Sequence, residues 1–153
     1  MNFRITGLSA ANFSHLFALS DEELKVRNAR RMVSDGTGFP CRISLTDAPA
    51  GNAVLLVNYE HLPVTTPFRS SCAIFIRAGE ATYDAVDAVP DQLRRRLLSL
   101  RAYDDEGMLL EADISEGREL ESCIERLLAN EKVAYLHAHY AKHGCYAARI
   151  ERA

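Results

Sequence analysis

The chain has 153 residues, 48% of them hydrophobic and 25% charged, a balance that excludes a disordered or fibrous chain and suits one hydrophobic core. Eighteen Lys and Arg against 21 Asp and Glu leave a formal charge of −3, too small and of the wrong sign for a nucleic-acid binder. The longest apolar run, Ala53 to Val57, falls far short of the ~20 residues that cross a bilayer, and Met1 to Thr6 lacks the features of a secretory signal, so a cytoplasmic protein with no membrane partner is expected.

In chain order, residues 3–6 read as a short strand, and the i, i+3, i+4 spacing of Phe13, Leu16 and Phe17 predicts a helical turn or two. Ser20, with Glu23 three positions on, makes a capping box that starts a short helix through about Val26. Arg30 to Val33 follows as a strand. After the loop Gly36–Pro40, the alternation of Cys41–Leu45 predicts a half-buried strand with Cys41, Ile43 and Leu45 on one face and Arg42 and Ser44 on the other. Ala53–Val57 is apolar on both faces, as a central strand is, and it ends in the polar Asn58-Tyr59-Glu60-His61. The long loop Leu62–Ser71, which carries Arg69, returns the chain to a second doubly apolar strand, Ala73–Ile76.

Pro90 suits the first turn of a helix through about Leu97, with Leu93 and Leu97 inward. Leu98–Tyr103 and Met108–Ile114 flank Asp104-Asp105-Glu106-Gly107, a hairpin signal. Ser115 can cap a helix from Glu116 to Ala129, whose Leu120, Cys123, Ile124, Leu127 and Leu128 form one apolar stripe. Val133–Tyr140 and Cys145–Glu151 close the chain as two strands. Seven to nine short strands with two or three helices predict a single α+β domain over residues 1–153, an antiparallel or mixed sheet with the helices packed on it.

Alternation along the penultimate strand points His137 and His139 the same way. A three-residue turn, Lys142-His143-Gly144, would pair Ala141 with Cys145 and set His139 opposite Ala147 and His137 opposite Arg149, so that His137, His139, Cys145 and Arg149 share one surface. Three chemistries suit such a cluster. An H-x-H pair with a third ligand such as His61 or Cys145 would suit zinc or iron, but no second ligand pair stands at motif spacing, so no metal is assigned. Cys41 or Cys145 could act as a nucleophile activated by a histidine and steadied by an arginine. A structural network would instead tie the histidines to backbone or Glu60 and pair Arg149 with Glu151 or Glu111. The four cysteines lack C-x-x-C spacing and read as reduced thiols.

The candidate catalytic set is therefore His137, His139, Cys145, Cys41 and His61, and the candidate ligand-binding set is Arg42, Arg69, Arg149, Tyr59 and Glu60. The expected partner is a small anionic molecule, since a guanidinium grips carboxylate or phosphate bidentately. The alternative is a noncatalytic domain that self-associates through a sheet edge or face. No P-loop, G-x-S-x-G, H-E-x-x-H or dinucleotide fingerprint names a cofactor or reaction.

The segments Gly38-Phe39-Pro40-Cys41-Arg42-Ile43-Ser44-Leu45, Leu56–His61 with Thr66-Pro67-Phe68-Arg69, and Tyr135–His139 with Gly144–Arg149 resemble a bacterial family catalogued as domain of unknown function 1203. Cys72 stands where that family's pattern has glycine. The resemblance implies a small bacterial protein without an assigned activity.

Overall fold

A computed structural model describes all 153 residues. The capping box forms as the sequence predicts: the Ser20 side chain accepts from the Glu23 N–H and Glu23 accepts from the Ser20 N–H, starting α1 (Asp21–Val26). Nine strands make two antiparallel sheets. The larger runs in the order β5 (Asp84–Val86), β1 (Phe3–Thr6), β9 (Tyr146–Arg152), β8 (Tyr135–Tyr140), β6 (Leu97–Tyr103), β7 (Leu109–Glu116). The smaller consists of β2 (Ala29–Val33), β3 (Ala53–Leu62) and β4 (Ser70–Ile76), with β3 central as its doubly apolar run requires. Two further helices, α2 (Asp91–Arg94) and α3 (Leu120–Leu128), complete the α+β architecture.

The two faces of the larger sheet bury different things. On one, the α3 stripe of Leu120, Ile124, Leu127 and Leu128 packs on Leu98 and Leu100 of β6, Leu136 and Ala138 of β8, and Ala148 and Ile150 of β9. The other face holds the alternate residues of β8 and β6, and Tyr146 there joins a second core with Leu55, Val57, Ile74 and Ile76 of the smaller sheet and Leu24 of α1. The Phe13 patch, built as two single 3₁₀ turns, closes this second core.

Tertiary pairing overrides local pattern at four places. Cys41–Leu45 is not a strand: it makes only isolated bridges, Pro40 to Asp47 and Cys41 to Phe75, and Arg42 is as buried as Cys41, Ile43 and Leu45. The helix expected from Pro90 to Leu97 is cut to α2, because Leu97 enters β6 opposite Glu116 and is 39% exposed rather than inward. The same pairing holds Ser115 and Glu116 in β7, so Ser115 is no cap and α3 starts only after a 3₁₀ turn over Gly117–Glu119. Gly117 is required there, since a Cβ would lie 2.0 Å from the Leu93 carbonyl oxygen.

The last hairpin is the fourth correction. The N–H of Tyr140 bonds the carbonyl of Cys145, and Gly144, at φ +76°, donates back to Tyr140. The loop is thus four residues, 141–144, not three, and it puts Cys145 with Tyr140 on the helix side of the sheet, away from the histidines. A β-bulge then restores the register: His139 faces Tyr146, while Ala138 faces Ala148 and His137 faces Arg149. Ala147 is the extra residue, and two successive alanines, both fully buried, are small enough to lie against the same core.

Candidate functional site

Three of the five candidate catalytic residues meet. His137 and His139 project from β8, and His61, near the end of β3, reaches across from the smaller sheet; their exposures are 3%, 0% and 8%. One ring nitrogen from each lies within 4.8 Å of the other two. The ring centroids are 5.0 Å apart for His61 and His139 and 5.8 Å for His61 and His137. Tyr146 stacks on His61 at 5.3 Å and sets its edge to His137 at 4.9 Å, while Tyr103 and Tyr135 flank His137. The histidines therefore sit in an aromatic box, held by cross-strand neighbours of β6, β8 and β9.

The hydrogen bonding of this cluster is incomplete. His139 Nδ1 lies 2.9 Å from the Gly144 carbonyl oxygen, which can only accept, so Nδ1 carries the proton and Nε2 keeps its lone pair. Buried and without a protein partner are that Nε2, His61 Nδ1 and His137 Nδ1. Buried polar atoms in folded proteins nearly always have partners, so an unpartnered nitrogen on each of three neighbouring rings needs an explanation. Burial disfavours the charged imidazolium and lowers all three pKa values, His61 to about 4, His139 to about 3 and His137 to about 2; Arg101 adds to the effect on each, and neighbouring histidines add to it at His137 and His139. All three rings are neutral near pH 7.

The other candidates lie elsewhere. Cys41 is fully buried with Ala48 and Val54, and burial pushes its thiol up to about 12. Glu60, a suggested partner of the histidines, instead holds Arg69 in a bidentate exposed pair at 2.9 and 3.1 Å. Tyr59 packs on the Phe13 ring at 5.5 Å. Arg149 shares the histidine face but is engaged, bonded to Glu151 at 3.0 Å and stacked 3.9 Å over the Tyr135 ring. Arg42 is 1% exposed: Nε donates to the Tyr146 carbonyl, Nη1 to the Pro40 carbonyl, and Nη2 lies 3.1 Å from Cys145 Sγ. All four cysteines are free thiols.

Two residues of the site carry no sequence signal of their own. Tyr146 reaches the histidines only through the bulge. Arg101 is the direct β6 partner of His137 and forms no ion pair with any carboxylate, its only side-chain bond being a long one to Ser99. Alternation puts Arg101 on one face with Ser99 and Tyr103, but which strand lies beside β6 is decided by strand order.

Fold and site together define a two-sheet α+β protein with a neutral three-histidine cluster buried where the sheets meet. Residues 38–152 match the family model described as "Protein of unknown function (DUF1203)", and the chain belongs to that family. The match takes in every histidine of the cluster and leaves residues 1–37 outside it. No curated protein and no solved structure matches the chain. No helix is long and apolar enough to cross a membrane.

Proposed function

We propose that this protein is a metalloprotein whose His61, His137 and His139 hold one divalent first-row transition-metal ion. The observation that carries the proposal is the meeting of three buried, neutral imidazoles, each with one unpartnered ring nitrogen and each offering a nitrogen within 4.8 Å of the other two. A tetrahedral ion with M–N bonds of ~2.0–2.1 Å sets its ligand nitrogens ~3.3 Å apart, so the present spread of up to 4.8 Å has to close by up to ~1.5 Å, shared between the rings as they rotate. The bond from His139 Nδ1 to the Gly144 carbonyl is the outer-shell contact that orients a ligating imidazole and fixes its tautomer.

Imidazole ligation suits zinc, iron, copper or nickel, and three protein ligands with an open position are the pattern of catalytic rather than structural zinc. Neutral ligands leave the charge of the ion uncompensated, and the unpaired Arg101 beside His137 adds to it, so an anion is favoured at the open position. The test is titration of chelator-stripped protein with Zn²⁺ or Fe²⁺, read by calorimetry and elemental analysis. We expect about one ion per chain, with affinity falling more than 100-fold in His61→Ala and His137→Ala. A wild-type protein that binds no more metal than either variant overturns the proposal.

A second reading, self-association, rests on β7. It is an edge strand whose Leu110 and Ile114 are 40% and 56% exposed, and unpaired edges invite pairing with another chain. A dimer in solution that Ile114→Lys converts to monomer supports this reading; a monomer at every concentration rules it out.

A further inference from the structure

A cavity of about 740 Å³ is lined by Gly144, Cys145 and Cys72 together with residues from the outer face of the smaller sheet and the β8–β9 turn. Its size is that of a small-molecule site. One wall is apolar, formed by Leu56, Ala73 and Phe75. The lining also carries Arg42, Arg95, Arg96, Lys142 and His143, with Arg42 the most deeply buried of them, and no acidic side chain lines the cavity anywhere.

The cations are unequal. Arg95 pairs with Asp91 and Arg96 with Asp47, each at 3.0 Å. Lys142, exposed on the turn, has no ion pair, and neither has Arg42 at the floor, whose partners are two carbonyls and a thiol. Arg42 and Arg96 also share the Tyr140 ring, at 4.9 and 5.3 Å from its centroid, and of the two only Arg96 has a carboxylate partner, Asp47. A buried charge without a counter-charge is costly, and of Arg42's five N–H groups only three are used. The place where a counter-ion can come from is the cavity that Arg42 lines.

We propose that this cavity is a binding site for a small organic anion, an apolar or aromatic body lying on Phe75 and Leu56 with one oxyanion group drawn between Lys142 and the floor at Arg42. Carboxylate and phosphate share the chemistry that the guanidinium and ammonium recognise. The site does not depend on the metal reading, because none of the three histidines lines the cavity.

The test uses the purified full chain with four probes, benzoate, phenyl phosphate, benzyl alcohol and inorganic phosphate, read by thermal shift and calorimetry, together with alkylation of Cys145 on the cavity floor. We expect benzoate or phenyl phosphate to raise Tm and to bind at least 10-fold tighter than benzyl alcohol, less tightly in high salt, and equally with and without chelator. Lys142→Glu should weaken binding at least 10-fold, and bound probe should slow iodoacetamide labelling of Cys145. Preference for benzoate over phenyl phosphate identifies a carboxylate ligand; the reverse, a phosphate. Binding by inorganic phosphate alone, equal binding of benzyl alcohol, indifference to Lys142→Glu, or no Tm shift with any probe at 10 mM overturns it.

Discussion

Acidifying the metal-free protein from pH 6.5 to 5 should remove a large share of its stability, because three buried histidines stay neutral there. In the unfolded chain each titrates near 6.5; in the fold their pKa values lie at about 4, 3 and 2. The unfolded state therefore binds more protons below pH 6.5. The stability these groups contribute is fully present above that pH, and it falls as pH drops toward the folded values. At pH 5, one and a half units below the unfolded pKa, each neutral histidine accounts for a loss of about 2 kcal/mol. The three together come to about 6 kcal/mol, comparable with the whole stability of a typical domain. Carboxylates contribute little across this window, since their unfolded pKa values lie near ~4.

The assay is urea unfolding in EDTA at pH 7.5, 6.5, 5.5 and 5.0, followed by circular dichroism because the chain has no tryptophan. His61→Gln, which removes one titrating ring at the rim of the cluster, should cut the slope by about a third. A free energy that changes by less than ~1 kcal/mol between pH 6.5 and 5 would refute the argument that the cluster is buried and neutral.

Cys41, fully buried with its thiol pushed up to about 12, should resist iodoacetamide at pH 8 until the chain unfolds, and alkylation at the rate of a free thiol refutes its placement. Gly117→Ala would drive a Cβ against the Leu93 carbonyl, and backbone cannot swing aside as a side chain can; a loss of at least ~2 kcal/mol by thermal or urea unfolding is expected, and a neutral variant contradicts the packing of α2 against the 3₁₀ turn over Gly117–Glu119. Arg69→Ala breaks only an exposed pair with Glu60, so stability should change by less than ~1 kcal/mol and metal stoichiometry not at all; loss of metal would place Arg69 in the site.

Legibility in the sequence followed the range of the interaction responsible. The capping box at Ser20, the α3 stripe and the hairpin at Asp104–Gly107 depend on residues within a few positions, and each was readable. Alternation likewise put His137 and His139 on one face. The boundaries at Leu97 and Ser115 were not readable, because both residues are taken by the β6–β7 ladder, a partner that local helix pattern cannot see. Cys41–Leu45 alternates like a strand yet has no ladder to join, and its Arg42 is buried by contacts more than a hundred residues away, at Cys145 and Tyr146.

By itself the sequence determined the α+β class, the antiparallel hairpins and the two co-facial histidines of β8, all consequences of backbone periodicity and turn chemistry. Tertiary structure alone decided that His61 is the third member, that Cys145 is turned away by a four-residue loop, and that the Ala147 bulge brings Arg149 and Tyr146 back to the histidine face. Those outcomes rest on which strands pair and where the register slips, and packing of distant side chains sets both.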